Sequence, residues 1–354
     1  MSSLSPVIVS RMDLEQFAAS LLQAGGASAE DAALVAESLL DANLKGHESH
    51  GVIRIPDYVE QLRLGELVSG VEITVISETP AILAGDAGYG FGQVQCRKLI
   101  DRLEPKARAL GVACGTLKRC GHVGRLGEWV ERAAARGLAG FITVNDNGVL
   151  KCVAPPGGIG PRISTNPMGL AVPTEGDPLM LDISTSAVAN GKVKVALMSG
   201  KQCPPGWLLD AEGNPTTDPA TRFSKPEGTL LPFGGEQGYK GFGLGLLLDC
   251  LAGGLTGGYC PPAPEGVPVT NNVVMVLWDP TLFAGKEHFV SEASKVIAAV
   301  RSTPRRPGVD AIRLPGDRGH QLHEERTRNG VPVDGGTWKA LATLAKSLKV
   351  TVPG

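Results

Sequence analysis

Apolar side chains recur at helical spacing in the first quarter of the chain. Leu14, Phe17, Leu21 and Leu22 share one face, and a second helical run spans 29–44 behind Ser28, with Asp31 three positions on as a capping partner. The period then changes. Val71 to Ile76 predicts a strand, a glycine-rich turn follows at 85–92, and helical spacing returns over 93–110. A strand at 112–117, a helix at 125–136 and a strand at 139–145 give the alternation expected of an α/β unit. Proline and glycine cluster over 155–178, and 199–228 is irregular, so both stretches read as loops lying over a core. The nearly polar-free run at 241–251 is too short to cross a bilayer and predicts an interior helix with close neighbours. A strand at 273–278, a helix at 286–300, a polar stretch bounded by glycine and proline at 313–332 and an amphipathic helix at 337–348 complete the pattern. No internal repeat is present.

Composition narrows the class. With 354 residues, 42% apolar and 20% charged, the chain can bury one large core or two moderate ones. A net charge of −2 and the lack of any Lys/Arg run give no reason to expect nucleic acid or an anionic membrane surface, so the expected partners are small molecules or protein chains. Nothing near Met1 to Arg11 reads as a basic-then-apolar leader, and a cytoplasmic location is expected. Seven cysteines without a C-x-x-C pair argue against a disulfide framework and against a cysteine-built zinc site. The 47 glycines imply many tight turns and close backbone approaches, which suits a protein wrapping an extended ligand.

The G-x-G-x-x-G signature of a Rossmann dinucleotide site is absent, and Gly241, Gly243 and Gly245 have the wrong spacing for it. Reactive side chains are densest in Gly46 to Pro56, which holds two of the six histidines. A helix over 47–54 would put His47, His50 and Arg54 on one face. That pairing fits a 2-oxo acid: the guanidinium holds the carboxylate while an imidazole exchanges a proton with the oxygen on the adjacent carbon. Two other readings stand beside it: an ordinary solvated surface, and a metal site in which His47 and His50 are joined by Glu48 or His122. Gly121 to Trp129 follows a strand and opens a helix. Its backbone N–H groups suit a phosphate and Arg125 adds charge, although an ordinary glycine-rich turn looks the same. Lys192 after Gly191 and Lys240 before Gly241 each offer a cation for a carboxylate or phosphate, or are simply solvated.

Seven stretches in order resemble the type-2 malate/L-lactate dehydrogenase family: GHESHGVIRIPDYV (46–59), GHVGRLGEW (121–129), STNP (164–167), DISTSAVANGKV (182–193), PPGWLLDAEGNPTTDP (204–219), GYKGFGLGLLLDCLAGGLTGG (238–258) and LPGDRGHQLHEERTRNGVPVDGGTW (314–338). Within that family the chain resembles the hydroxycarboxylate dehydrogenase B group. The resemblance implies an oxidoreductase of 2-hydroxy acids with an α/β, non-Rossmann nicotinamide-binding fold. It also implies a helical region, 1–75 packed with 286–354, carrying the Ser-His-Gly segment, and a cofactor- and substrate-binding region over 76–285. It implies His50 as proton donor and acceptor, Ser49 as its positioning hydroxyl, Lys192 beside the reaction, and Arg54, His122, Thr165 and Asn166 near the substrate. Cofactor contacts are implied for His122, Val123, Gly124, Arg125, Leu126, Asp182, Ile183, Ser184, Lys240, Gly316, Asp317 and Arg318, with NAD as cofactor and NADP as the alternative, no metal, and a homodimer. An NADP-dependent cyclic-imine reductase and ureidoglycolate- or sulfolactate-type enzymes are the neighbouring activities. Lys192 stands where the cyclic-imine reductases tend to carry Asp, which favours an oxo acid. The hydroxycarboxylate group does not require an arginine at position 54, and Asp317 stands in place of the family's usual Glu.

Overall fold

The computed structural model describes residues 5–354. Strand β1 (Val7–Val9) leads into α1 (Arg11–Ala24), α2 (Ala29–Leu44) and α3 (Ile55–Leu64). Ser10 and Ser28 cap the first two helices, their hydroxyls accepting from the N–H groups of Asp13 and Asp31. The central region runs β2 (Thr74–Glu78), β3 (Ile82–Asp86), α4 (Gly92–Leu110), β4 (Val112–Cys120), α5 (Leu126–Ala135), β5 (Ala139–Asn145), β6 (Met168–Val172), β7 (Leu179–Ile183) and α6 (Asn190–Met198). Three short strands follow, β8 (Leu208–Leu209), β9 (Pro215–Thr216) and β10 (Thr229–Leu230), then α7 (Tyr239–Thr256) and β11 (Asn271–Trp278). The chain ends with α8 (Lys286–Arg301), α9 (Asp317–Asn329), β12 (Val331–Val333) and α10 (Gly335–Leu348).

The main sheet has seven strands in the order β2-β3-β4-β11-β5-β6-β7. Only β3 and β4 pair in parallel, joined by the α4 crossover, and every other pair is antiparallel. This mixed sheet explains the missing Rossmann glycines, because a parallel strand–turn–helix phosphate site is not what the fold offers. Strand alternation lets β11 serve two layers. Val273, Met275 and Leu277 join Leu99, Leu103, Trp129 and Val130 of α4 and α5 in one core, while Val274 and Val276 lie on the opposite face of the sheet, which α7 covers. A second core gathers Leu14, Phe17, Leu21, Val35, Leu39 and Tyr58 of the first three helices with Val331, Val333 and Leu341 near the C-terminus. A third, smaller cluster packs Val193 of α6 against Leu208 and Leu230. Among the described residues no helix is long and apolar enough to cross a membrane.

Several sequence expectations are corrected. The predicted strand at 71–76 lies at 74–78, and the predicted turn at 85–92 begins as β3, which the glycines in its sequence concealed. The stretches read as loops hold β6 at 168–172 and the short strands β8 and β9, and between them lie β7 at 179–183 and α6, for which the sequence pattern gave no element. The polar stretch 313–332 contains α9, with no buried residue of its own to give an apolar period. The helix expected at 241–251 runs from Tyr239 to Thr256, and only one side is interior. There Gly241 and Gly245 press on the backbone of Phe233 and on Thr185, where an added Cβ would come within 2.5 Å. On the other side Leu247 and Leu255 are 64% and 58% exposed.

Candidate active site

The reactive segment begins where α2 ends. Gly46, at φ +78°, turns the chain, and His47 N–H donates back to Ala42 O at 2.8 Å. From there the chain forms two 3-10 turns, Glu48–His50 and Val52–Arg54, and not the single helix expected over 47–54. The interruption is Gly51, whose extended backbone lies against Asn43: an added Cβ would stand 2.0 Å from Asn43 Oδ1, which accepts the N–H of Val52 at 2.8 Å. Pro56 sits in the first turn of α3, where a missing N–H costs nothing, so it starts a helix here instead of ending one.

Ser49 Oγ lies 2.9 Å from His50 Nδ1. Arg54 Nε donates to Ser49 O at 2.8 Å, so the guanidinium is tied to the same turn. The second histidine arrives from the other core: the His50 and His122 rings stack with centroids 5.5 Å apart and planes at 24°. Close backbone contact sets this approach. Gly92 at the start of α4 abuts Gly121 and His122, and a Cβ there would lie 2.3 Å from Gly121 O and 2.5 Å from the carbonyl of His122. His122 Nδ1 is 2.7 Å from the hydroxyl of Tyr58 on α3, and Gln93 Nε2 donates to that hydroxyl at 2.9 Å. Burial, reinforced by Arg54 and His47, lowers His50 to about 3, and burial with Arg54 and His50 holds His122 well below its usual range. Burial also lowers His47. Both stacked rings are therefore neutral at physiological pH.

The turn after His122 is pinned from two sides. Val123 N–H donates to Asn271 Oδ1 at 3.0 Å and Val123 O accepts from Trp129 Nε1 at 3.0 Å, while Gly124 takes φ +72°. Leu126 opens α5 and is buried in the main core. The charge expected from Arg125 is spent inside the protein: its side chain is 1% exposed and pairs with Asp41 and Glu131 at 2.8 and 2.5 Å. Asp182, at the end of β7, accepts the N–H of Gly127 at 2.8 Å and so caps α5. Ile183 pairs with Met168 across the sheet, and Ser184 follows, half-buried, its Oγ accepting from Ser186 Oγ at 3.1 Å. Thr165 is half-buried and its carbonyl receives Thr185 N–H at 2.9 Å. Asn166 is fully buried, its amide donating to Asp249 and to Gly245 O at 2.9 Å each, so its side chain reaches a ligand only through its neighbours.

Lys192 lies on α6, exposed, one residue after Gly191, whose added Cβ would come 3.5 Å from Ser49 Cβ. This brings the first turn of α6 beside Ser49. Lys240 is exposed at the start of α7 with Nζ 6.0 Å from the Tyr239 ring. Gly316, at φ +97°, precedes α9, and Asp317 pairs with Arg301 at 2.9 Å while Arg318 is exposed. The proposed metal ligands do not assemble: among the described residues no three His, Cys, Asp or Glu side chains converge, and Glu48 is held by Arg326 at 2.8 Å. The residues present do fit a dinucleotide. A cavity of about 850 Å³ opens beside α9, lined by Asp317, His320, Arg301 and Arg305, with His320 Nε2 buried and without a partner. Met180 N–H of β7 donates to Pro315 O at 3.4 Å, and Ser184 lies four residues on, about 13 Å along an extended chain.

Sequence reasoning missed Tyr58 and Gln93. Tyr58 falls four positions after Arg54, one helical turn on, which was the available signal. Gln93 carried no signal, because its role depends on α4 reaching the second core.

Compared with known proteins, residues 9–342 match the family model described as malate/L-lactate dehydrogenase. The chain is 34% identical over 352 residues to an L-lactate dehydrogenase of Cupriavidus necator, covering 98% of this chain and 99% of that one. It is 33% identical over 344 residues to hydroxycarboxylate dehydrogenase B of Escherichia coli O157:H7, covering 95% and 92%. A solved structure of a putative malate/lactate dehydrogenase from E. coli superimposes with a TM-score of 0.90 at 31% identity, covering 98% of this chain and 96% of the other.

Proposed function

The chain belongs to the malate/L-lactate dehydrogenase family of oxidoreductases, and from that premise we propose that it interconverts a small 2-hydroxy acid and its 2-oxo acid with NAD(H). The observation that carries this reading is the Ser49 Oγ–His50 Nδ1 contact of 2.9 Å, set between Arg54 and the stacked ring of His122. NAD(H), when bound, supplies or accepts the hydride at the carbon bearing the substrate oxygen. The turn from His122 to Leu126, the strand end Asp182–Ser184, Lys240 and Gly316–Arg318 would hold it, with Arg125 acting through the packing of that turn and NADP as the alternative cofactor.

Arg54 and Lys192 bind the substrate carboxylate, with Thr165 and, behind it, Asn166 shaping the far wall. In oxidation, His50 donates Nδ1–H to Ser49 Oγ, so that Nε2 faces the substrate hydroxyl as the proton acceptor; in reduction the proton returns by the same path. An incoming carboxylate supplies the negative charge that raises the imidazole from its depressed value toward working pH. Lys192 at the position beside Ser49 favours an acyclic oxo acid over a cyclic imine. The reaction site lies on the seam between a helical unit, 1–75 with 286–354, and the α/β unit of 76–285, and holding both reactants there supplies much of the rate. The seven unpaired cysteines support work in a reducing cytoplasm.

Replacing His50 by Ala tests the assignment. Turnover should fall by about 10²–10⁴-fold with cofactor binding, followed by NADH fluorescence, nearly unchanged. Undiminished turnover would remove His50 from the mechanism.

A further inference from the structure

We propose that Tyr58 and Gln93 are positioning residues that lock His122 into the tautomer carrying its proton on Nε2, so that it presents a hydrogen-bond donor beside the proton-accepting nitrogen of His50. The inference rests on the dehydrogenase reading for its use, but the tautomer itself follows from the hydrogen bonds.

The chain of contacts is Gln93 Nε2 to Tyr58 Oη at 2.9 Å and Tyr58 Oη to His122 Nδ1 at 2.7 Å. A hydroxyl that accepts from the amide has its own proton free to donate, and the remaining polar partner is Nδ1 of the imidazole. The amide orientation decides the direction, since Gln93 placed the other way round would accept from Tyr58 and reverse the relay. Gln93 is 1% exposed, and with Nε2 toward Tyr58 its Oε1 and the second N–H of the amide are left without a partner. Turned over, the amide would leave both N–H donors without an acceptor, where the placed orientation leaves one donor and one acceptor, and orphaned buried N–H groups are rarer than under-satisfied carbonyl oxygens. Burial pushes the Tyr58 phenol up to about 12, so the hydroxyl remains protonated across the working range, and His122 is held neutral and needs one acceptor nitrogen.

The two stacked imidazoles are thereby made complementary. His50, beside Ser49, takes or gives the reacting proton, whereas His122 is a fixed donor for the substrate oxygen or carboxylate. Two identical side chains acquire different tasks from what stands behind them: a serine hydroxyl that can accept or donate, and a tyrosine whose direction is set by a buried amide.

The test is an NMR measurement of the ring-nitrogen chemical shifts in full-length protein labelled at histidine with the heavy nitrogen isotope, His122 being assigned by its loss in His122→Asn. The wild-type protein at neutral pH should show a pyridine-type Nδ1 and a protonated Nε2, and Tyr58→Phe should replace this with the averaged shifts of two exchanging tautomers. In the same variant KM for the oxo acid should rise about tenfold with a smaller change in kcat, as loss of one oriented hydrogen bond to bound substrate requires. A wild-type His122 protonated on Nδ1 overturns the relay, as does a Tyr58→Phe protein with unchanged ring shifts and unchanged KM. If Tyr58→Phe does not fold, the wild-type spectrum alone decides. A locked Nε2–H in a chain that turns over no oxo acid would leave the relay standing and remove the function; the opposite tautomer in an active chain would do the reverse.

Discussion

His50 is a histidine whose surroundings make it neutral before any ligand arrives. Burial is the largest cause, and the cations Arg54 and Arg125 together with His47 add to it. The consequence for stability has a definite sign. Its folded value near 3 lies below the ordinary 6.5, so the unfolded chain takes up this proton first as the pH falls, and stability is lost from about pH 6.5 down toward 3. Asp146 acts oppositely: burial raises it from 3.8 to about 6, so its contribution is lost as the pH rises through that interval. Comparing wild type with His50→Asn separates the two. Denaturant midpoints measured across this range should fall more steeply with acid in wild type than in the variant, and parallel curves would contradict a neutral His50. That Ser49, His50, Arg54 and His122 are candidates for this chemistry was legible, since they stand in dense polar clusters of an apolar chain. The fate of Arg125 was not, because the sequence does not show Asp41 and Glu131 converging on it from α2 and from the next turn of α5.

At the scale of elements, periodicity identified the helices that bury one clean face. Helices α2, α4, α5 and α10 lie within a residue or two of where their apolar spacing put them, and α1 carries the face predicted for Leu14 to Leu22. Elements without that signal were hidden: α9 buries nothing, α6 buries only Val193, and β6 and β7 lie among glycines and prolines. The 47–54 segment failed differently, since its facing argument assumed one helix where the approach of Gly51 to Asn43 forces two turns. Helix α7 reads as wholly buried because it is apolar all round, yet Leu246, Leu247, Leu251 and Leu255 face outward. A contiguous apolar stripe of this kind marks an interaction surface, and we propose that a second copy of the chain covers it to form the homodimer. Light scattering should give twice the 36.8 kDa chain mass, and Leu247→Lys should shift the mass toward the monomer. A monomeric wild-type protein would refute the proposed dimer.

Across the whole molecule, the candidate site lies where the two cores meet. The helical core brings Ser49, His50, Arg54 and Tyr58, and the sheet core brings Gln93, His122 and the strand end at Asp182. Glycines at 51, 92 and 121 let backbones approach closely enough for the two histidines to stack. The order of the seven motifs disclosed the family, and the absence of a dinucleotide fingerprint agreed with a mixed sheet; the seam itself became visible only when both cores were in place. The proposed reaction is oxo-acid reduction without metal participation. It is tested most directly by following NADH and NADPH absorbance with purified protein and a panel of 2-oxo acids and cyclic imines, with and without chelator. NADH should be consumed with at least one 2-oxo acid, and chelator should change nothing. No consumption with any 2-oxo acid, or activity abolished by chelator, would contradict it.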